Sequence, residues 1–494
     1  MTITKYQVPS TKYQVPIPPP INSSPLRDLF IQGSYLAASV LFILGLRSLT
    51  KPDKARRGMQ MAAAGMFFAV LGTLVNHQIA DYRWIAGGLL LGTIIGYPLG
   101  MRVPMTAMPQ RIALSLTFSA LAAALVGIAE YHTQLAFDDA ASLGHAKMAA
   151  LGFEIMLGSI TVGGTIIAAG KLQELITSKP VTFRGQNVVN GGLFLGLLAM
   201  LAYLVANPAE SWAFYAMVAG SLLFGLMLVL PIGGADMPVV VALLNSYSGL
   251  ASCATGFALG NVILIISGSL DGASGFILSI LMSKAMNRSF ANVLFGAMGS
   301  NEGGKVVGTT EARAVNSINI EDAAVQLAYA QLVVVIPGYG MAVAQAQHQV
   351  RELAELIEKR GGEVKFAVHP VAGRMPGHLN VILSEAGIDY DRLLTDVDDA
   401  NAVLARADVA MVIGANDIVN PAALDEPGSP IYGMPVLKPW DSRTTMVVKR
   451  GMAAGFAGIE NPLFFRSNTV MLFGDAKRVA ADLVAEIKGM DGGH

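Results

Sequence analysis

Nine nearly unbroken apolar stretches fill the first part of the chain: 29–49, 59–80, 84–101, 110–130, 147–169, 188–206, 211–230, 237–259 and 262–284. Each is close to the length an α-helix needs to span a bilayer. They are rich in Gly, Ala and Ser, as closely packed membrane helices are. From residue 331 the pattern changes to short apolar runs alternating with amphipathic segments. Strands are predicted at Leu332–Ile336, Val364–Val368, Val409–Ile413, Met434–Leu437, Thr445–Val448 and Thr469–Phe473. Helices are predicted at Met341–Arg360, which ends at Gly361-Gly362, and at Asp475–Lys488. Strands and helices in alternation argue for a parallel, doubly wound sheet of Rossmann type. The expected fold is a polytopic all-α membrane domain followed by an α/β domain.

The divisions follow from this pattern. Residues 1–28 form a Pro-rich tail in which TKYQVP occurs twice, and proline at that density blocks a helix. No short apolar core follows a basic start there, so it does not read as a signal peptide. Residues 29–290 are the membrane part. Residues 291–330 are a mixed linker with room for one short helix at 321–330, and 331–494 are the α/β domain.

Charge supports the division. Residues 1–290 carry 17 Lys+Arg and 11 Asp+Glu, against 17 and 24 in residues 291–494. Overall, 53% of residues are hydrophobic and 14% charged, too apolar for a wholly soluble protein. Arg47, Lys51, Lys54, Arg56 and Arg57 follow the first span, Arg102 and Arg111 flank the turn after the third, and Lys171, Lys179 and Arg184 follow the fifth. Lys284 and Arg288 follow the ninth, whereas the connections after spans four and six carry Glu130, Asp138, Asp139 and Glu210. The positive-inside rule then places the N-terminus outside and residues 285–494 in the cytoplasm. A net charge of −1 excludes a nucleic-acid binder driven by bulk charge. A single cysteine, Cys253, excludes intrachain disulfides and a cysteine-built metal site, and its apolar neighbours read as buried filler.

The first α/β strand runs into Pro337-Gly338-Tyr339-Gly340-Met341-Ala342-Val343. This G-x-G-x-x-V lies between a strand and a helix, the context of a dinucleotide turn. Gly338 suits a tight turn, and Gly340 lets backbone approach a pyrophosphate; the alternative is a plain strand–helix turn. NAD sites usually end the second strand in an acid, but here it ends Val368-His369-Pro370. Lys449-Arg450 follows the strand at 445–448, and two cations at a strand end suit a 2′-phosphate. NADP is therefore favoured over NAD, with a solvated Lys-Arg pair as the alternative.

Several segments together resemble the β subunit of the proton-translocating nicotinamide nucleotide transhydrogenases. They are Ile232–Pro238, Leu244–Gly249, Lys284–Ser289, Pro337–Gln347, His369–Arg374, Ile413–Asp417 and Asn461–Phe465. The resemblance runs from the first span to the C-terminal helix. It implies hydride exchange between NAD(H), held on a separate α subunit, and NADP(H), held here, coupled to proton passage. It also implies a dimer of α–β units in a bacterial inner membrane, lipid as surroundings, and no nucleic-acid partner. Carried over, the NADP(H) contacts are Gly338, Tyr339, Gly340, Met341, Ala342 and Val343, then His369, Gly373 and Arg374. Gly414, Ala415, Asn416 and Asp417 follow, with Asp417 as a link to proton state. Lys449 and Arg450 would take the 2′-phosphate, and Gly455, Phe456, Ala457 and Gly458 would close as a lid. Phe456 stands where the family commonly has tyrosine. Hydride transfer between two nicotinamides needs placement rather than an acid–base pair, so no acid–base catalytic residue is expected.

In the membrane part, Asn245 lies well inside a span, where an amide is expensive unless paired. Ser248 and Ser252 extend it into a polar stripe. This stripe reads as part of a proton path or as interhelical glue. Asp236 stands at the cytoplasmic edge, either a helix-start carboxylate or, by resemblance, an inner gate. Glu154 and Asp271 sit near the middle of their spans, and acids there are functional hypotheses by default. For Glu154 an ion pair with His145 or Lys147 is the alternative. Where well-known members carry a fourth-span histidine this chain has Leu116, so the proton relay must use other groups here or on the partner. Arg288 is the expected hinge between membrane and nucleotide domains. A channel or transporter gated by NADP(H), with 331–494 as sensor, is the competing function.

Overall fold

The structure, a computed structural model, describes residues 25–49, 52–75, 82–102, 107–137, 144–177, 180–285, 290, 315–373, 377–429, 431–455 and 457–491. Among them, nine helices of 19 to 30 residues lead the chain. They are α1 (Pro25–Leu49), α2 (Pro52–Leu74), α3 (Tyr82–Met101), α4 (Met108–Phe137), α5 (His145–Leu172), α6 (Gln186–Ala206), α7 (Ser211–Val229), α8 (Met237–Leu259) and α9 (Val262–Ala285). Eight are long and apolar enough to cross a membrane. The exception is α2. Lys54, Arg56 and Arg57 occupy its first two turns, and the apolar remainder is too short to offset them.

Helices α1 and α2 pair antiparallel. Arg27 Nε donates to Val75 O (2.6 Å), and the Tyr35 and Thr73 hydroxyls meet at 3.1 Å. No residue of α3 is buried. Farther along, α5 packs against α4, α6, α7 and α8, and is buried over most of its length. Its small residues, Gly158, Ser159, Thr161, Gly163 and Gly164, allow that close surround. Helices α8 and α9 meet backbone to backbone. A Cβ on Gly249 would lie 2.8 Å from Gly272 Cα, and Ser246 Oγ donates to Gly272 O (2.7 Å). Cys253 lies at this seam, half-buried, with Sγ 3.2 Å from Ser269 Oγ, and not as apolar filler.

The second part is a six-stranded sheet. Its strands are β1 (Leu332–Pro337), β2 (Glu363–Ala367), β3 (Leu393–Leu394), β4 (Val409–Ile413), β5 (Thr444–Lys449) and β6 (Thr469–Phe473). All neighbours are parallel, in the order β3-β2-β1-β4-β5-β6. This is a doubly wound order with its switch point between β1 and β4. The central strands are buried on both faces, so they read as continuous apolar runs.

Helix α10 (Ile320–Tyr329) is capped by Asn319, whose side chain accepts from Asp322 N (2.7 Å). Ala323, Ala324 and Leu327 bury it in the domain core, and Ile318 N donates to Met471 O beside β6. Residues from 315 onward, assigned to the linker by sequence, therefore pack with the sheet.

Two expectations are corrected. The helix predicted at Met341–Arg360 is broken into α11 (Tyr339–Val343) and α12 (Gln347–Lys359). Gln345, at φ +51°, turns the chain between them. Met434–Leu437 is not a strand: Leu437 N bonds Ile418 O (2.9 Å), and Met434 and Val436 pack with Ala423 and Ile431 in a satellite core. The sixth strand is β3 instead, only two residues long. Helices α13 (His378–Glu385), α14 (Val397–Leu404), α15 (Ala422–Asp425) and α16 (Ala476–Asp491) complete the domain.

Candidate functional site

The loops after β1 and β4 are pressed together at the switch point. Gly338 N donates to Ile413 O (2.8 Å), and Gly340 N donates to Gly414 O (2.9 Å). Gly414 holds φ +68°, and a Cβ on Gly340 would lie 2.8 Å from Gly414 Cα. These glycines are required first by the contact between two loops, a reason that spacing alone does not reveal. Beside them opens a cavity of about 690 Å³, within the range of small-molecule sites. Gly338, Tyr339, Gly340, Val343, Gly373, Gly414, Ala415, Asn416, Asp417, Lys449, Arg450, Gly455 and Ala457 line it.

Three residues expected at the nucleotide do not line the cavity. Met341 and Ala342 are fully buried in the sheet's core. His369 is 2% exposed: its Nε2–H donates to Pro435 O (2.7 Å), and Nδ1 accepts from Val371 N (3.3 Å). Burial pushes this imidazole down to about 4, so it is neutral and holds a loop. Arg374, Phe456 and Arg288 lie outside the described residues.

One polar network lines the far wall. The Asn416 side-chain oxygen, set toward its donors, accepts from Gly455 N (2.7 Å) and Lys449 Nζ (3.2 Å). Lys449 Nζ also donates to Ala453 O (2.5 Å) and lies 4.6 Å over the Phe464 ring. Burial pushes the Lys449 ammonium down, and the Asp417 carboxylate opposes that shift. Asp417 Oδ2 accepts from Ala457 N (3.0 Å), and a Cβ on Gly455 would collide with its carboxyl. Asp417 thus grips the segment expected to close as a lid. Arg450 is exposed beside Lys449.

Sequence reasoning gave no role to several supporting residues. Asn461, 1% exposed, donates to Asn416 O (3.1 Å) and caps Leu463 N (3.0 Å), while Phe464 underlies Lys449. Both lie in the quoted Asn461–Phe465 segment. His378, fully buried, sits where a Cβ on Gly373 would fall and 6.3 Å from the Tyr339 ring. Asp475 lines the cleft but is engaged as a helix cap, accepting from Lys477 N and Arg478 N.

The cavity also reaches the membrane helices. Gly234 and Asp236 of a short 3-10 turn, Pro238 of α8 and Met282 of α9 form part of its wall. Asp236 therefore stands at the cleft as well as at the start of α8.

Inside the helical bundle the predicted polar residues fall into two groups. Asn245 Nδ2 donates to Asp271 Oδ1 (3.1 Å), joining α8 to α9. Ser248, buried, meets Ser119 Oγ of α4 at 2.9 Å, and Ser252 Oγ donates to Ser248 O (3.0 Å). Glu154 is fully enclosed against Gly127 of α4, with Thr255 of α8 beside it. The suggested ion pairs are not made: Lys147 bonds Glu130 (2.7 Å), and the His145 ring nitrogen bonds Val205 O (2.8 Å). Leu116 is buried, and its neighbour Thr117 donates to Thr165 of α5 (2.8 Å).

Apolar helices of spanning length followed by a doubly wound parallel sheet define a multi-pass membrane protein with a dinucleotide-type domain. Residues 31–486 match the family described as NAD(P) transhydrogenase beta subunit, and the chain belongs to that family. Two proteins of Rhodospirillum rubrum, each named NAD(P) transhydrogenase subunit beta, are similar to it. Each is 46% identical over 456 residues, 92% of this chain and 98% of theirs.

Proposed function

We propose that this chain is the NADP(H)-binding membrane subunit of a proton-translocating transhydrogenase, exchanging hydride with NAD(H) on a separate α subunit. The observation that carries the reading is the pair Lys449 and Arg450 at the carboxyl end of β5, opening on a cleft whose β2 loop supplies no acid. Two cations there suit a 2′-phosphate, and an acid on ribose hydroxyls is missing. The cleft fits such a ligand: its volume is adequate, its glycine floor is bare of side chains, and Asp475 is already engaged as a cap.

NADP(H), when bound, supplies the hydride acceptor or donor. The chain's own residues do the rest. Gly338 and Gly340 keep the floor free of side chains. Lys449 and Arg450 orient the phosphate end, and Asp417 holds Ala457 and packs against Gly455 of the segment that would exclude water. Asn245, Asp271, Ser248 and Glu154 hold or pass protons within the bundle, and Asp236 stands between bundle and cleft. The nucleotide domain lies on the cytoplasmic side, with the N-terminus opposite.

The test is equilibrium binding to the purified full chain. Calorimetry is expected to show NADP(H) bound at least about tenfold more tightly than NAD(H), a difference of about 1.4 kcal/mol. Equal affinities would overturn the cofactor assignment.

A further inference from the structure

The turn that brings the bundle to the cleft is held by a buried lysine. Lys171, next to last in α5, is 1% exposed. Its Nζ donates to Leu230 O (2.5 Å) and to Ile232 O (2.8 Å). These carbonyls follow the C-terminal end of α7, where the dipole favours a cation, and Leu230 O also accepts from Val181 N (3.2 Å). Pro231 stands between them and has no N–H to offer. The chain then passes through Gly233 into the Gly234–Asp236 turn and α8, and Gly234, Asp236 and Pro238 line the cleft.

Burying an ammonium is expensive, and neutral donors or water could satisfy two carbonyls. The fold nevertheless puts a charge on the enclosed helix, beside the turn that walls the cleft. Glu154 belongs to the same helix. The two lie seventeen residues apart in one unbroken α-helix, a rise of about 25 Å. The middle of α5 therefore carries the enclosed carboxyl, and its C-terminal end holds the segment that leads into the turn lining the cleft.

We infer that Lys171 is a positioning residue that fixes the Leu230–Ile232 segment to α5, and through it the adjoining Gly234–Asp236 turn, so that this helix links the packing around Glu154 to the nucleotide cleft. The inference rests on the function proposed above. A motion of α5 at Glu154 would reach the cleft wall through two hydrogen bonds, and nucleotide binding would reach Glu154 by the same route, since coupling is reciprocal.

The experiment uses the full chain with its NAD-binding partner in sealed vesicles. It measures how far an imposed pH gradient changes the rate of NADP⁺ reduction by NADH. Lys171→Met removes the donors and keeps most of the stem; Lys171→Arg keeps donor and charge; Lys171→Gln keeps a shorter, neutral donor. Lys171→Met is expected to shrink the gradient response about fivefold or more, the scale of a typical coupling free energy. Its gradient-free hydride transfer should stay within about threefold of the unmodified protein, because no transition-state contact is lost. Arginine should restore the response, and glutamine should fall between. If the Met variant fails to assemble, the order arginine above glutamine carries the test. An unchanged response in the Met variant, or equal responses in the Arg and Gln variants, would overturn the inference. If the unmodified protein itself shows no gradient response, the proposed function fails instead.

Discussion

Asn245 and Asp271 are joined across the α8–α9 seam by a single hydrogen bond of 3.1 Å. The two residues are 26 apart in sequence, and each alone would be expensive within a bilayer. Together they form a donor–acceptor pair at a seam kept narrow by Gly249 and Gly272. The carboxyl can take up or release a proton, whereas the amide can only orient it. Asp271→Asn is therefore expected to abolish proton movement in vesicles while leaving NADP(H) affinity within about twofold. Full pumping by this variant would remove Asp271 from the path.

Glu154 makes a separate test. Its carboxyl is enclosed by α4, α5 and α8, with Glu130 of α4 about one turn beyond Gly127. Glu154→Gln keeps size and packing and removes the exchangeable charge. Proton movement should cease with the protein still assembled and binding NADP(H). If both acid variants pump normally, the relay lies on the partner subunit.

At the cleft, the Lys449→Ala, Arg450→Ala double variant should weaken NADP(H) binding by about 2–4 kcal/mol, the scale of two charge-assisted hydrogen bonds. NAD(H) binding should change little. Titration of the variant with both nucleotides checks the prediction, and a parallel loss for both would point to general damage rather than phosphate recognition.

The glycine contact predicts a structural cost. Gly414→Ala places a Cβ on a residue at φ +68° and into the Gly340 backbone. A loss of about 1–3 kcal/mol in nucleotide-domain stability is expected. Gly361, also at positive φ but with nothing near its Cβ position, is the control. Protease resistance of the nucleotide domain reads both, and equal resistance in the two variants would contradict the packing argument.

His369 gives a pH dependence. Its imidazole is pushed down to about 4 when folded, against an ordinary value of 6.5. Between those values the unfolded state binds the extra proton, so stability rises with pH. The stabilisation is complete above about pH 6.5 and falls by up to about 3 kcal/mol as pH drops to 4. Hydrogen exchange around 366–372 should accelerate across that window, and His369→Gln should flatten the dependence. An unaltered slope in the variant would assign the effect to another group.

The sequence made the large elements plain because each is a continuous apolar run. Spans of bilayer length and strands buried on both faces carry few polar interruptions. Elements set by tertiary context were hidden. Gln345 adopts a left-handed conformation with no mark in the sequence, and it splits a helix that periodicity would continue. Met434–Leu437 is apolar because it covers a satellite core, and β3 is too short to register. In the site, motif spacing pointed to Gly338, Gly340 and Lys449, the family resemblance added Asn416, Asp417 and Gly455, and all six line one cavity. It did not show that His369 turns inward, since a histidine after a strand looks the same in either orientation. Nor did it show that Lys171, counted among loop charges, is buried under two carbonyls.

The most direct test of the account follows hydride and protons together. The full chain and its NAD-binding partner are placed in sealed vesicles containing a pH-sensitive dye, and NADH and NADP⁺ are added singly and then together. NADPH should form only when both are present, and the dye should report proton movement that starts and stops with it. NADPH formation at full rate without proton movement would contradict the coupling. Proton leakage opened by NADP⁺ alone, with no NADPH formed, would identify a nucleotide-gated channel instead.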